Sequence, residues 1–128
     1  MRFLLDTHVL LWIVIADRRM TTSLVRLLQD ANNQIVFSTA SVWEIAIKHS
    51  AGKSDFPYPA QSIRTQLLKA GYEELPVLGE HALAVESLPA IHKDPFDRLL
   101  IAQAMVEGIT LLTADATIAR YPGPIRKV

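Results

Sequence analysis

The chain has 128 residues, which is long enough to bury one hydrophobic core. Half of its residues are apolar and a fifth are charged, and this composition excludes an intrinsically disordered protein. Its 13 basic residues balance its 13 acidic ones, which excludes a strongly basic surface over the whole protein, and the lack of cysteine excludes disulfides and zinc–thiolate sites. We expect a single domain over residues 1–128, a cytoplasmic location and no membrane contact, because the longest apolar run, 9–16, is too short to span a bilayer.

Short apolar runs alternate with segments of helical length along the whole sequence. The predicted elements in chain order are a strand at 2–5, a helix at 7–16, a helix from 21 or 22 to 31, a strand at 35–37, a helix at 42–51, a helix at 60–70, a strand at 72–75, a helix at 80–87, a helix from 94 to 107, a strand at 109–112, a short helix from 115 and a strand at 125–127. This alternation predicts an α/β fold with three α/β/α layers around a central, mainly parallel sheet of four to five strands. In such a sheet the strand C-termini and helix N-termini share one edge, where ligands bind.

Two helix starts carry recognisable capping patterns. Asp94 followed by Pro95 reads as an N-cap and a proline at the first helical position, and Gly108 ends the same helix. Ser41 and Glu44 have the capping-box spacing and predict the start of the third helix.

Four acids fall at predicted helix starts on the ligand-binding edge: Asp6, Glu44, Asp97 and Asp115. Capping is the competing interpretation for each one alone, because helix N-termini favour acidic side chains. The residues beside these acids in sequence are apolar, which predicts that the acidic side chains are buried. Two like charges ~4 Å apart at an effective dielectric of about 20 repel each other by about 4 kcal/mol. Such a cluster either takes up protons or binds a cation, and ligands that are all oxygens favour Mg²⁺ or Mn²⁺.

Small hydroxyl side chains lie beside these acids in sequence. Thr7, Ser38 and Thr113 could each donate a hydrogen bond to a carboxylate or to a metal-bound water, or could serve only in a turn or cap.

Two basic side chains are candidates for contacts with substrate phosphate. Lys48 follows Glu44 by one helical turn and either contacts a phosphate or pairs with that acid. Arg98 either contacts a phosphate or forms a salt bridge with Asp94.

Neither the histidines nor the tryptophans are expected to carry chemistry. We interpret the histidines as non-catalytic, because no two show ligand spacing and none lies between two candidate ligands; His8 either approaches the ligand-binding edge or is a partly buried structural residue. We interpret the tryptophans as core or subunit contacts. These residues are His8, His49, His81, His92, Trp12 and Trp43.

Four segments, in order along nearly the whole chain, carry a family pattern. They are LLDTHVLLW at 4–12, SVWEIAIK at 41–48, DPFDRLLIAQA at 94–104 and LTAD at 112–115. Together they resemble the PIN-domain ribonucleases, specifically the VapC-type toxins of toxin–antitoxin pairs.

The resemblance implies a PIN-like fold and a Mg²⁺- or Mn²⁺-dependent endoribonuclease that is usually dimeric and is neutralised by a small antitoxin. By position, Asp6, Glu44, Asp97 and Asp115 would be the catalytic acids and metal ligands, and none departs from the family pattern. Supporting roles would fall to Thr7, Thr113 and Asp94. Because the net charge is zero, we expect the RNA-binding face to come either from local residues, namely Lys48, Lys53 and Arg98, or from dimerisation.

Two other classes compete with this reading. The first is a non-catalytic α/β binding module whose acids only cap helices. The second is a phosphoaspartate enzyme or receiver domain, but a phosphatase of that class needs a second aspartate at the position of His8, and a receiver needs an acidic pair after its first strand. Cleavage of DNA by the same metal chemistry stays open, because the acids act on the phosphodiester and not on the sugar.

Overall fold

A computed structural model describes residues 1–128 and contains one five-stranded parallel sheet. The strands are β1 (Arg2–Leu5), β2 (Gln34–Ser38), β3 (Glu73–Leu75), β4 (Thr110–Thr113) and β5 (Ile125–Lys127). The helices are α1 (Thr7–Ile15), α2 (Thr22–Gln29), α3 (Thr39–Ser50), α4 (Ala60–Lys69), α5 (Gly79–Ala84) and α6 (Pro95–Glu107), with short 3-10 helices at Val85–Ser87 and Ile118–Arg120. None of the helices is long and apolar enough to cross a membrane.

The strand order β3-β2-β1-β4-β5 places β1 at the centre of the sheet. Phe3 pairs with Ile35 on one side and with Thr110 on the other, both in parallel register. From β1 the chain first builds outward through β2 and β3, and later returns to add β4 and β5 on the opposite side. The gap between β1 and β4 is therefore the topological switch point, where ligands bind in open parallel sheets.

Apolar side chains cover both faces of this sheet, and this burial confirms the three-layer α/β/α prediction. Along β1, Phe3 and Leu5 join one buried cluster and Leu4 joins the other, because successive strand residues point to opposite faces. Helices α1, α2 and α4 pack on the first face, and α6 packs on the second.

The two ends of α6 follow the sequence prediction. Asp94 is the N-cap, and its carboxylate accepts hydrogen bonds from the backbone N–H groups of Phe96 and Asp97, with Pro95 at the first helical position. Gly108 ends the helix in the left-handed conformation at φ 66°.

The predicted start of α3 is wrong. Ser38 is the N-cap, because β2 ends on this residue and the chain enters the helix without a loop; its hydroxyl accepts from the N–H of Ala40. Ser41 therefore lies inside the first turn, and Glu44 lies in the second. Both side chains are buried, and no Ser41–Glu44 capping box forms.

The prediction that a short helix begins at Asp115 is also wrong. Asp115 instead accepts a hydrogen bond from the N–H of Thr117, which forms a turn, and only the 3-10 helix Ile118–Arg120 follows. This turn leaves the Asp115 side chain at the C-terminal edge of β4.

We expect Gly108→Ala to lower the free energy of unfolding by about 1 kcal/mol, because a side chain disfavours the left-handed conformation. No atom lies within 4 Å of the added methyl group, so backbone strain alone is measured. Gly79→Ala is the matched control: its methyl group also meets open space, its φ is not positive, and it should be neutral or slightly stabilising. Urea unfolding measures both, and equal effects would contradict the assignment.

Candidate active site

Asp6 lies at the C-terminal end of the central strand, between the sheet and α1. Its backbone N–H donates to the carbonyl of Leu112 at 3.0 Å, which joins it to β4. One carboxylate oxygen accepts from the N–H of Val9 at 2.8 Å, and the other accepts from the Thr113 hydroxyl. Asp6 is only 3% exposed, and burial raises the pKa of its carboxyl, although both hydrogen bonds act in the opposite direction. Asp6 is thus both a helix cap and a buried acid.

Asp97 differs from its neighbour Asp94 in what its side chain contacts. The Asp94 carboxylate is used by the helix N-terminus, whereas the Asp97 carboxylate accepts no hydrogen bond from the backbone of α6. Burial, followed by the negative charges of Asp94 and Glu44, raises the pKa of Asp97 to about 7, and Asp6 adds to this shift. The carboxylates of three different elements therefore converge closely enough to repel one another.

Glu44 reaches the same edge from the second turn of α3 and is only 1% exposed. Thr7 donates to one of its oxygens at 2.6 Å, and the Lys48 ammonium contacts the other at 2.6 Å. The Thr7 hydroxyl also lies 2.9 Å from that of Ser41. Of the two roles predicted for Lys48, the structure thus confirms the i, i+4 ion pair with Glu44.

Asp115 is the most exposed of the four acids, with 43% of its side chain accessible. Its N–H donates to the Thr113 hydroxyl at 3.0 Å, and one carboxylate oxygen accepts from the N–H of Thr117 at 2.7 Å. Its charge acts on Asp6 and contributes to the raised pKa of that residue. Thr113 thereby links Asp6 and Asp115 across the β1–β4 switch point.

His92 lies among these acids, contrary to the interpretation that no histidine sits between two candidate ligands. Its Nε2 is 2.8 Å from Asp97 Oδ2 and 3.8 Å from Asp115 Oδ2. The Nε2 atom is buried but has no hydrogen bond of acceptable geometry. His92 belongs to the loop before α6, and the one sequence signal for it is its position two residues before the Asp94 cap.

The contacts decide between alternatives that the sequence left open for Arg98, Ser38 and Trp43. Arg98 does not pair with Asp94: its guanidinium donates to the carbonyls of Val85, Pro89 and His92 and to the Tyr121 hydroxyl, and so fixes the loop before α6.

The Ser38 hydroxyl contacts the Gln103 side chain at 2.6 Å and not an acid of the site. Trp43 is 59% exposed and packs edge to face on Phe96, so it is not a core residue. His8 is exposed as well, and its ring packs edge to face on Phe56.

The donor set fits a hard divalent cation. Converging carboxylates with raised pKa values gain from an added positive charge, and the buried Nε2 of His92 lies 2.8 Å from Asp97 Oδ2 but makes no hydrogen bond. Beside the acids, an open cavity of about 330 Å³ is lined by His8, Lys48, Lys53, Ser54, Asp55 and Phe56.

In metal-free buffer we expect the free energy of unfolding to fall as pH rises from about 4 to about 7. Folded Asp97 keeps its proton up to a pKa of about 7, whereas the unfolded chain releases it near 3.8, so the folded state binds more protons in this window. Asp97→Asn should remove this contribution, which is at most about 4 kcal/mol at neutral pH.

Urea unfolding across this pH range measures the effect, and Glu86→Gln, an exposed acid outside the site, is the control. An Asp97→Asn variant with the pH dependence of the parent would contradict the raised pKa.

Comparisons with known proteins agree with this architecture. The family model of the PIN domain matches residues 3–124. No curated protein matches the chain significantly in sequence. The chain is structurally similar to VapBC2 from Rickettsia felis bound to a promoter DNA fragment (TM-score 0.74, 19% identity) and to DNA-bound VapBC from Salmonella typhimurium (TM-score 0.69, 18% identity).

VapBC-1 from nontypeable Haemophilus influenzae is also similar, with a TM-score of 0.63 and 20% identity. Each of the three similarities covers 99% of this chain and 98% of the other. At these identities the solved structures show a shared fold, whereas the family model spans nearly the whole sequence. The chain therefore belongs to the PIN domain family.

Proposed function

We propose that this PIN domain, a single domain over residues 1–128, is a divalent-metal-dependent endoribonuclease and the toxin of a type II toxin–antitoxin pair. The observation that carries the proposal is the convergence of Asp6, Glu44, Asp97 and Asp115 at the switch point of the sheet, with the pKa of Asp6 and of Asp97 raised. Acids that only cap helices have no reason to converge, and Asp97 caps nothing.

Asp6, Asp97 and Asp115 would hold Mg²⁺ or Mn²⁺, with Glu44 completing the acidic set. When bound, such an ion activates a water molecule and offsets the charge that develops on the phosphate during attack. Oxygen donors of this kind suit both ions.

The remaining side chains orient the acids and meet the substrate. Thr113 fixes one oxygen of Asp6 and the backbone of Asp115, and Thr7 fixes one oxygen of Glu44. Lys48 is 27% exposed and lines the cavity beside the acids together with Lys53. We assign the contacts with RNA phosphates to these two lysines, because Arg98 has its donors engaged in the loop before α6.

A small antitoxin is the proposed protein partner, and its proposed binding site is a groove between α1 and α4. The groove has a volume of about 200 Å³, and four of its six lining residues are apolar: Val14, Ile15, Tyr58 and Ile63. Ile15 and Tyr58 are exposed at 42% and 48%, so covering them would bury apolar surface. The structurally similar VapBC proteins are complexes by their descriptions, which supports a partner here.

A homodimer and a cytoplasmic location complete the proposal. Trp43 and Ile47 lie one turn apart on α3 and are exposed at 59% and 44%, which suits a subunit contact. Cellular RNA as the substrate places the enzyme in the cytoplasm.

We expect the purified protein to cut a single-stranded RNA oligonucleotide only in the presence of Mg²⁺ or Mn²⁺. Asp6→Asn and Asp97→Asn should each reduce the cleavage rate by at least about a hundredfold, since each removes a charge on which the ion depends. Gel electrophoresis of end-labelled RNA measures the rate, and thermal unfolding establishes that the variants are folded.

Glu86→Gln is the matched control and should cut like the parent, because Glu86 is an exposed acid outside the site. Cleavage that continues in the aspartate variants under excess chelator would contradict the enzyme proposal. A folded parent protein that cuts no RNA, and whose melting temperature does not change when Mg²⁺ or Mn²⁺ is added, would instead favour a non-catalytic binding module. A DNA oligonucleotide of the same sequence tests the preference for RNA.

Expression of the chain should arrest bacterial growth, and co-expression of the product of a small adjacent reading frame should restore it. Asp97→Asn should abolish the arrest yet still co-purify with that product, because α1 and α4 line the proposed groove and Asp97 does not. Growth arrest by the Asp97→Asn variant would show that toxicity does not come from cleavage.

A further inference from the structure

We infer that His92 is a nitrogen ligand of the metal ion and that it makes the site select Mn²⁺ over Mg²⁺. The inference rests on the proposed metal site and adds to it a residue that the acidic pattern does not contain. Its basis is the position of His92 Nε2 beside both Asp97 and Asp115, at 2.8 Å and 3.8 Å from their Oδ2 atoms. Ligand atoms of all three side chains lie within 4.8 Å of one another.

The Nε2 atom of His92 is the one buried side-chain polar atom without a hydrogen bond. Asp97 Oδ2 is near enough to bond it, but the direction of the N–H does not satisfy a hydrogen bond. A buried polar atom without a partner is costly, so its retention calls for an explanation. An ion shared with Asp97 and Asp115 would supply the missing partner.

The main chain, and not the ring, holds His92 in this place. The N–H of His92 donates to the Tyr121 hydroxyl at 2.7 Å, and its carbonyl accepts from Arg98 at 3.4 Å. Tyr121 is only 4% exposed and is itself contacted by Arg98 at 3.1 Å. The loop thus presents the imidazole to the acids without using its Nε2, which is how a preorganised ligand is positioned.

The other ring nitrogen is compatible with coordination. Nδ1 makes one long contact, 3.5 Å from the N–H of Asp94. Coordination through Nε2 places the ring proton on Nδ1 and gives up this contact, which is at the outer limit for a hydrogen bond and contributes little.

His81 also lies in a group of potential metal ligands, with Glu80 and Glu107, but it differs from His92 in its hydrogen bonds. Its Nδ1 accepts from the N–H of Leu78 at 3.0 Å, and its Nε2 contacts Glu107 at 2.8 Å, so both nitrogens have partners. His92 Nε2 also has a carboxylate oxygen at 2.8 Å, that of Asp97, but makes no hydrogen bond to it. The contrast separates the two histidines by contact geometry and not by burial.

An imidazole ligand changes the preference of an otherwise all-oxygen site. Mg²⁺ favours hard oxygen ligands, whereas first-row transition-metal ions also accept imidazole nitrogen, Mn²⁺ the least strongly among them. The proposed site therefore favours Mn²⁺ over Mg²⁺, and loss of the imidazole should weaken Mn²⁺ binding more than Mg²⁺ binding.

Mn²⁺ itself is the probe for the test. Continuous-wave electron paramagnetic resonance counts bound Mn²⁺, and electron spin echo envelope modulation detects a directly bonded imidazole nitrogen. We expect ¹⁴N modulation in the parent protein and none in His92→Gln. Titration should show Mn²⁺ affinity reduced about tenfold or more in His92→Gln, with Mg²⁺ affinity, measured by competition, changed by less than about threefold.

Two further variants keep the result interpretable. His92→Asp replaces nitrogen with oxygen and should retain Mn²⁺ without the modulation. His49→Gln is the matched control and should bind Mn²⁺ with the modulation intact, because His49 Nδ1 contacts the Phe56 carbonyl at 2.8 Å and not Asp97 or Asp115. Thermal unfolding establishes that each variant is folded.

The possible results distinguish a failure of the ligand role of His92 from a failure of the proposed metal site. Bound Mn²⁺ without ¹⁴N modulation in the parent overturns the ligand role of His92 and leaves the nuclease proposal standing. Modulation that survives in folded His92→Gln assigns the nitrogen to another residue and also overturns it. Failure of the parent to bind Mn²⁺ at all overturns the metal site, and this inference with it.

Discussion

Asp6, whose carboxylate is buried, joins three parts of the structure: strand β4, helix α1 and the side chain of Thr113. Its backbone bonds to β4, one of its oxygens caps α1, and its other oxygen is held by Thr113. These contacts hold an acid at the end of the central strand of a parallel sheet. This is the switch point, because β2 and β3 lie on one side of β1 and β4 and β5 lie on the other. Burial raises the pKa of Asp6 and of Asp97, and the fixed position of Asp6 means that its charge adds to the shift of Asp97.

Much of the fold was predictable because local and global signals agree along this chain. The apolar runs, the Asp94–Pro95 start and the Gly108 stop each specify an element without reference to the rest. The third helix shows where this fails: Ser38 ends β2 and caps α3 at once, so no loop separates the two elements. A capping pattern at Ser41 is then a false signal, because the helix has already begun.

The acids of the site were predictable, whereas their neighbours were not. Position after a strand identifies Asp6 and Asp115, and position in the first turn of a helix identifies Asp97, because strand C-termini and helix N-termini share one edge of a parallel sheet. His92 and Arg98 are placed instead by the path of an irregular loop, where Arg98 binds carbonyls and His92 turns its ring toward the acids. No periodicity describes such a loop, so spacing rules for metal ligands miss a histidine that tertiary contacts bring in.

The four acids differ in how much of their negative charge the protein itself offsets. A bound ion therefore has to neutralise the charge of only some of them. Glu44 has an ammonium at 2.6 Å and a hydroxyl at 2.6 Å, so its charge is largely offset within the protein. Asp97 has only the imidazole of His92 beside it and lies among other negative charges. The unbalanced charge is thus concentrated on Asp6, Asp97 and Asp115, around the β1–β4 switch point. Lys48 remains partly exposed beside this charge, where it can meet the phosphate that the ion also attracts.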